Sequence, residues 1–316
     1  MKKKFCYILI IVFIFFLGGC SIIGNIYLSQ AAIHNFRGTE GLQLAKAVMT
    51  QNVSKIKKVC AKNPSAMYVE DTKYHYTVLH WAAGLKKYHS LKALLEAEMD
   101  PNVQSSVGGE TPLYLTASEG NVGIEYMQLL LDYGADPDIG NTAVILPDLI
   151  QSDGRAIPFR SRFTAGKTPL MELPTMYIPH QKTNLEKAKL LIEGGHADIN
   201  KKDENDSTAS VMALNAMDVD MAYYLIVELK ANVKDHYYYE EAIRGRGNEK
   251  EPVYPVDLLR WWIYPLDSEK YKKKMEIVEE FARQGIDYWS TVIRKDKLEQ
   301  IKYIYPDDWE EYIKVY

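Results

Sequence analysis

The chain has 316 residues, of which 38 are Lys or Arg and 42 are Asp or Glu, giving a formal net charge of -4 at pH 7. An acidic chain lacks the general attraction to phosphate backbones on which nucleic-acid binding depends, so we expect no nucleic-acid partner. Hydrophobic residues make up 47% of the sequence, which is ordinary for a globular protein and excludes wholesale disorder.

The first 20 residues differ from the rest of the chain. Lys2, Lys3 and Lys4 precede an apolar run at 5–17, and the run is followed by two glycines and Cys20. The run is too short to span a bilayer comfortably and is typical of a signal-peptide core. An uncleaved signal anchor is the alternative.

The four residues LGGC at 17–20 resemble a bacterial lipobox, whose cysteine is lipidated and becomes the mature amino terminus. The resemblance implies a lipoprotein signal peptide at residues 1–19, a lipidated amino terminus and tether at 20–41, and acyl chains on Cys20. Ser21 resembles the residue that sends lipoproteins to an outer membrane, so we expect a periplasm-facing protein in that membrane. Removal of residues 1–19 leaves an acidic chain that anionic lipid does not attract, so the acyl chains must supply the attachment.

Cysteine usage agrees with this processing. Cys6 leaves with the signal peptide and Cys20 carries lipid, so Cys60 is the one remaining thiol and no disulfide can form within the mature chain. Cys60 shares a helical face with Ile56, which predicts a small buried apolar residue.

The clearest internal repeat runs from Thr111 to Asp138. Thr111 and Pro112 are typical of a helix start, and a second helix with apolar residues three and four apart ends at Gly134. Such a helix, turn, helix and loop unit has too little apolar surface to fold alone, so it must stack on copies of itself.

Further copies begin at Thr77, with TVLHWAA, and at Thr168, and weaker copies begin near Ser210 and Tyr254. A degenerate first copy spans 42–66. These segments resemble the ankyrin repeat, whose signature is a Thr-Pro-Leu-His run. The resemblance implies an all-α ankyrin-repeat solenoid of about five to six helix-turn-helix units at residues 42–290. We expect long loop insertions in it, because Thr111 and Thr168 are 57 residues apart, and a C-terminal capping helix at 291–316.

The ankyrin resemblance also implies a protein partner, bound through loop tips and the exposed side of the first helices. His80 occupies the motif histidine and is predicted to be structural. The insertion at 139–166 interleaves arginine with phenylalanine, which suits an acidic partner or a solvated loop. The two tryptophans after the last motif are either binding anchors or are packed against the tail. The predicted partner-binding residues are Tyr74, Tyr76, Glu110, Glu119, Arg160, Arg162, Lys167, Asp206, Tyr238, Trp261 and Trp262.

Motifs for catalysis are missing from the sequence, which has no nucleophile elbow, HExxH, phosphate-binding glycine loop or CxxC pair. Residues 203–206 resemble part of a calcium loop but lack its glycine and bidentate glutamate, so we treat them as a solvated tip. We therefore predict a protein that is not an enzyme, with no cofactor and no metal. An enzyme built into the 139–166 insertion is a disfavoured third possibility.

Architecture and location together resemble the immunity lipoproteins that neutralise lipase or phospholipase effectors of type VI secretion. The resemblance implies that the protein binds and blocks a toxic effector. We expect a monomer in the free state. The alternative is a housekeeping scaffold that holds an envelope enzyme or assembly factor at the membrane.

Overall fold

The structure is a computed structural model that describes residues 29–119, 122–142, 149–150, 156–157, 164–174, 178–235, 238–240 and 251–316. The predicted signal peptide, the lipidation site Cys20, and Arg160 and Arg162 lie outside these residues. The chain divides into two compact units, Met1–Val107 and Gly108–Tyr316. Within the described residues, no helix is both long enough and apolar enough to cross a membrane.

The first unit consists of paired short helices whose starts are set by polar caps. The Asn52 side chain accepts from the Lys55 amide at 3.0 Å, and Thr77 forms a capping box with His80. The helices are α1 (29–35), α2 (Leu42–Met49), α3 (Val53–Lys62), α4 (Val78–Gly84) and α5 (Tyr88–Leu95), with a 3₁₀ turn at Pro64–Tyr68.

The second unit continues the same pattern. Thr111 caps its first helix by accepting from the Tyr114 amide at 3.1 Å, as the sequence predicts. The third copy keeps its Thr-Pro start, but its first helix is only a 3₁₀ turn at Pro169–Glu172.

The helices of this unit are α6 (Pro112–Ser118), α7 (Ile124–Asp132), α8 (Ile178–Lys189), α9 (Ala209–Asn215), α10 (Val219–Tyr223), α11 (Pro255–Leu259), α12 (Glu269–Arg283), α13 (Lys295–Ile304) and α14 (Trp309–Val315). Helices α8 and α10 run on into π-type turns at Leu190–Gly194 and Tyr224–Glu228. Their repetition confirms the all-α fold class.

The two long insertions each contain a short antiparallel hairpin. Strand β1 (Leu149–Ile150) pairs with β2 (Ala156–Ile157), and β3 (Tyr238–Glu240) pairs with β4 (Glu251–Val253). Along the chain these strand pairs lie between helix pairs, as expected for insertions into a stack.

The C-terminal segment is a helical hairpin, not the single capping helix predicted for residues 291–316. Helices α13 and α14 are separated by a turn at 305–308. Ile301, Tyr312 and Tyr316 form its buried core, with Trp309 and Ile313 packed against it. A bend is needed because the two helices present their apolar faces to each other.

Candidate functional site

Three aromatic side chains lie together at the start of α4, namely Tyr74 and Tyr76 in the loop before it and Trp81 in the helix itself, and we call them the aromatic finger. The Tyr74 ring is stacked against Tyr76 at 6.2 Å between centroids and meets the Trp81 ring edge-on at 5.7 Å. Tyr74 is 46% exposed, whereas Tyr76 and Trp81 are half-buried. The cluster therefore presents apolar area and a hydroxyl to solvent from a supported position.

Asp71 holds the aromatic finger in place. Its Oδ1 accepts from the amides of Lys73 and Tyr74, both at 2.8 Å, and its Oδ2 accepts from the Tyr76 amide at 3.1 Å. The same Oδ2 accepts from the Trp81 indole N–H at 2.9 Å. One buried carboxylate thus fixes both the loop backbone and the indole, and charge-assisted hydrogen bonds of this kind are the stronger ones.

His80 supports the finger from below, which agrees with its predicted structural role. Its Nδ1 accepts from the Thr77 amide at 3.2 Å and lies 2.9 Å from the Thr77 hydroxyl. The accepting Nδ1 assigns the proton to Nε2. The Tyr76 ring stacks on the imidazole at 5.3 Å with an interplanar angle of 13°. Because His80 is fully buried, Tyr76 rests on a rigid base.

The turn before α9 in the second unit also contains a buried aspartate, but only one oxygen of this aspartate accepts hydrogen bonds. Asp203 Oδ1 accepts from the amides of Asn205 and Ser207 at 2.9 and 2.8 Å. Its Oδ2 finds no hydrogen-bond partner among the described residues, and burial raises the pKa of Asp203. Trp81 stands four residues after Thr77, whereas Met212 stands four residues after Thr208, so the indole donor is lost. The predicted solvated tip thus contains one buried carboxylate.

The fourth residue after the capping threonine is half-buried in every copy with a described Thr start. These residues are Trp81, Leu115, Glu172 and Met212. They share a place on the first helix or turn of each repeat, but they differ in size and charge. The side chain at this position therefore differs between repeats, whereas the threonine that starts each of these repeats is kept.

Lys167 lies in a polar cluster of the second unit. Its amine is 3.5 Å from a carboxylate oxygen of Glu172, which also accepts from the Tyr114 hydroxyl at 2.8 Å. Tyr114 replaces the motif histidine in this copy, and its hydrogen bond to Glu172 takes the place of the histidine network. Lys167 is half-buried, so part of its charge is offset within the unit.

The remaining predicted tip residues are dispersed. Glu110 is half-buried and its carboxylate lies over Gly108, whereas Glu119 is exposed. Asp206 is exposed with a left-handed φ of 59°, and it lines a small cleft with Lys202 and Asp235. Only the backbone of Tyr238 is described, in β3. Of the predicted tip residues that the structure describes, only Tyr74 and Tyr76 form a joint aromatic surface.

Trp262 corrects the sequence prediction. It is fully buried, and its indole N–H donates to the Leu214 carbonyl at 2.9 Å, so it cannot be a surface anchor. Helix α11 ends at Leu259, and the chain after it places Trp262 against the preceding repeat. Trp261 remains half-buried, with the Arg294 guanidinium 5.7 Å from its ring. Trp262 is therefore packed and not a surface anchor, but its indole N–H is bonded to the preceding repeat and not to the tail.

Two buried lysines were missed by sequence reasoning. The Lys187 amine donates to the Thr116 carbonyl at 2.8 Å, and the Lys274 amine donates to the Trp262 carbonyl at 2.9 Å. Burial, with a smaller contribution from the nearby Arg260 guanidinium, lowers the pKa of Lys274 to about 6. Lys187 lies four residues before Leu191, and Lys274 lies four residues before Val278. Each lysine therefore shares a helix face with an apolar residue, and that spacing was visible in the sequence.

Metal-binding and thiol chemistry find no support in the described residues. Among them, no group of three or more His, Cys, Asp or Glu side chains could hold a metal ion. Cys60 is buried as predicted, and burial raises the pKa of its thiol. A thiol in that state is a weak nucleophile.

The described elements define an all-α repeat protein whose surface residues sit on turns and first helices. Comparison with known families agrees, because residues 44–141 and 79–172 match the family described as ankyrin repeats (3 copies). The match covers residues 44–172, somewhat less than half of the chain, and ankyrin repeats are typically protein–protein interaction modules without enzymatic activity. A search of the curated proteins finds no match.

Proposed function

We propose that the protein is a membrane-tethered immunity protein that binds a toxic lipase-type effector in the bacterial envelope and blocks it. The aromatic finger is the observation on which this proposal rests, because it is an exposed, pre-organised contact surface on a protein-binding fold. The lipobox-like LGGC at 17–20 supports a lipid anchor on Cys20 and a position on the periplasmic side of the outer membrane.

The geometry of the finger suits tight binding. Tyrosine and tryptophan are the side chains most often found as energetic anchors of interfaces, since they bury a large area and keep a polar tip. Association normally costs the ordering of loops and side chains. Here Asp71 and His80 have already ordered the loop, so less of the contact energy is lost on binding.

Complementation tests the proposal without a purified effector. A strain lacking the gene should be outcompeted by a toxin-delivering sibling, and the wild-type gene should restore survival. A gene carrying Tyr74→Ala and Tyr76→Ala should fail to restore it, because removal of two anchors lowers affinity by roughly 100-fold. Tyr303→Ala is the matched control, since Tyr303 is 88% exposed and lies in α13, away from the finger in sequence. Equal survival with and without the gene would reject the immunity role.

The anchor has its own test. Labelled palmitate should enter the wild-type product and should not enter a Cys20→Ala variant. If both take up the label, or neither does, Cys20 is not the lipidation site.

A housekeeping scaffold that holds an envelope enzyme or assembly factor is the second candidate, because the same surface would serve it. Growth of a strain lacking the gene in pure culture distinguishes the two candidate functions. An immunity protein matters only when the toxin arrives, whereas loss of a scaffold should impair the strain in pure culture.

A further inference from the structure

Helix α3 carries a row of three lysines on its solvent face. Lys55, Lys58 and Lys62 are spaced by three and four residues, so at 100° per residue they lie on one side of the helix. The buried residues Ile56 and Cys60 point to the opposite side. All three lysines are exposed, and we call them the lysine stripe.

The charge of the lysine stripe is not neutralised by neighbouring residues. Helix α3 contains no acidic residue, and the one lysine of α3 outside the stripe, Lys57, pairs with Glu96 at 2.9 Å. Across the part of the chain that the structure describes, no ion pair or hydrogen bond is formed by the amines of the stripe. Three positive charges therefore lie within about 10 Å along the helix axis.

The stripe belongs to the only unit with a net positive charge. Residues 29–107 contain ten Lys and Arg against six Asp and Glu, a formal charge of +4. Residues 108–316 contain 25 Lys and Arg against 36 Asp and Glu, a formal charge of -11. The expectation that anionic lipid does not attract this protein rests on the whole-chain charge, and it does not hold for the first unit alone.

We propose that the lysine stripe lies on the headgroups of anionic phospholipids. This inference rests on the proposed lipid anchor at Cys20. Nine residue steps separate Cys20 from the start of α1 at Ser29, so the tether spans at most about 30 Å. Electrostatic attraction acts over roughly 10 Å at physiological salt. The anchor therefore keeps the first unit close enough for the stripe to reach the surface, and acyl chains combined with basic residues are a stable mode of attachment.

An alternative partner for the stripe is an acidic protein surface. The lipid assignment is favoured because α3 is only two helices further along the chain than α1, whose start is the point nearest the proposed anchor. The first unit would then contact lipid through α3 while the aromatic finger, on a different loop, stays free for the effector. The two surfaces share no residue.

Lysine labelling on vesicles tests the inference. The full chain, expressed in a host that processes lipoproteins, is reconstituted into phosphatidylcholine vesicles and into vesicles with 30% phosphatidylglycerol. A water-soluble acylating reagent should modify Lys55, Lys58 and Lys62 about five-fold more slowly on the anionic vesicles, and 0.5 M salt should remove the difference. Exposed Lys234 and Lys295 of the second unit are the controls and should react equally on both.

A variant carrying Lys55→Gln, Lys58→Gln and Lys62→Gln supplies a second measurement. Amide exchange across α3 should be slower on anionic vesicles in the wild type and identical on both vesicles in the variant. Flotation of the protein with the phosphatidylcholine vesicles reports the anchor alone. Flotation without differential labelling would overturn the stripe and leave the anchor intact, whereas no flotation would refute the anchor and the stripe together. Protection of the stripe only when an effector is bound would assign it to a protein and overturn the lipid assignment.

Discussion

The substitution Asp71→Asn isolates the carboxylate that organises the aromatic finger. Asparagine keeps one oxygen as an acceptor and replaces the other with an amide that only donates. If the nitrogen takes the place of Oδ2, it faces the Tyr76 amide and the Trp81 indole N–H, which now bond to Oδ2 at 3.1 and 2.9 Å. If the side chain is flipped, the amides of Lys73 and Tyr74 lose their partner instead. Either way two hydrogen bonds become contacts between donors.

The size of the effect follows from these bonds. A hydrogen bond to a charged group contributes about 1.5 to 3 kcal/mol, and the low end applies because the donors are only partly buried. Two lost bonds therefore lower the free energy of unfolding of the first unit by about 3 kcal/mol. In amide exchange that proceeds by reversible opening, this loss corresponds to roughly 100-fold faster exchange.

Asp203→Asn is the matched control. Asp203 lies in the corresponding turn of a later repeat, but its Oδ2 has no hydrogen-bond partner among the described residues. Exchange measured by mass spectrometry reports both units in one sample, so each variant has an internal reference. We expect Asp71→Asn to accelerate exchange at 72–81 by about two orders of magnitude. Asp203→Asn should accelerate exchange at 204–212 by less than about five-fold, since neutral asparagine is easier to bury than a carboxylate. Equal acceleration in the two turns would refute the role assigned to Oδ2.

Two further predictions concern the second unit. Lys274 has a folded pKa below its unfolded value, so the unfolded chain binds the extra proton between about pH 6 and 10, and wild-type stability rises with pH across that window. The stability advantage of Lys274→Met over wild type should therefore shrink between pH 6 and pH 9, by up to about 1.4 kcal/mol per pH unit. Urea titrations at each pH measure this advantage. An advantage independent of pH would contradict the lowered pKa of Lys274. Trp262→Ala should lower the free energy of unfolding by about 3 to 5 kcal/mol, whereas Trp261→Ala should cost less than about 1 kcal/mol in the same titration. Equal losses would contradict the burial of Trp262.

The repeat boundaries could be predicted because they depend on local chemistry. The Thr111 hydroxyl caps the helix and the Pro112 ring fixes its first backbone angle. Both effects depend only on residues within four positions of the helix start. The exposure of Tyr74 could be predicted for the same reason, since it lies in a turn between two helices. The loop tip was therefore identified from sequence, although the grouping of Tyr74 with Trp81 was not.

What could not be predicted depends on contacts distant in sequence. The sequence left Trp262 as either a binding anchor or a residue packed against the tail, whereas its indole N–H donates to the Leu214 carbonyl, 48 residues away. The role of Asp71 was missed because it depends on an indole ten residues later. Lys274 received no prediction, although its spacing to Ile277 and Val278 places it on the apolar face of α12.

Under the proposed binding role, recognition and folding would depend on different positions of the same repeat, so that one scaffold could acquire a specific partner. Thr77, Thr111 and Thr208 each begin a helix and are buried, so a change there costs stability. The residue four places later is half-buried in each case, and it is Trp81 in the first unit but Met212 in a later repeat. Substitutions at that fourth position alter the contact surface while the caps and core keep the helices in place. The exception is Trp81, whose indole also satisfies Asp71, so loss of that one side chain should disturb both the surface and the loop that presents it.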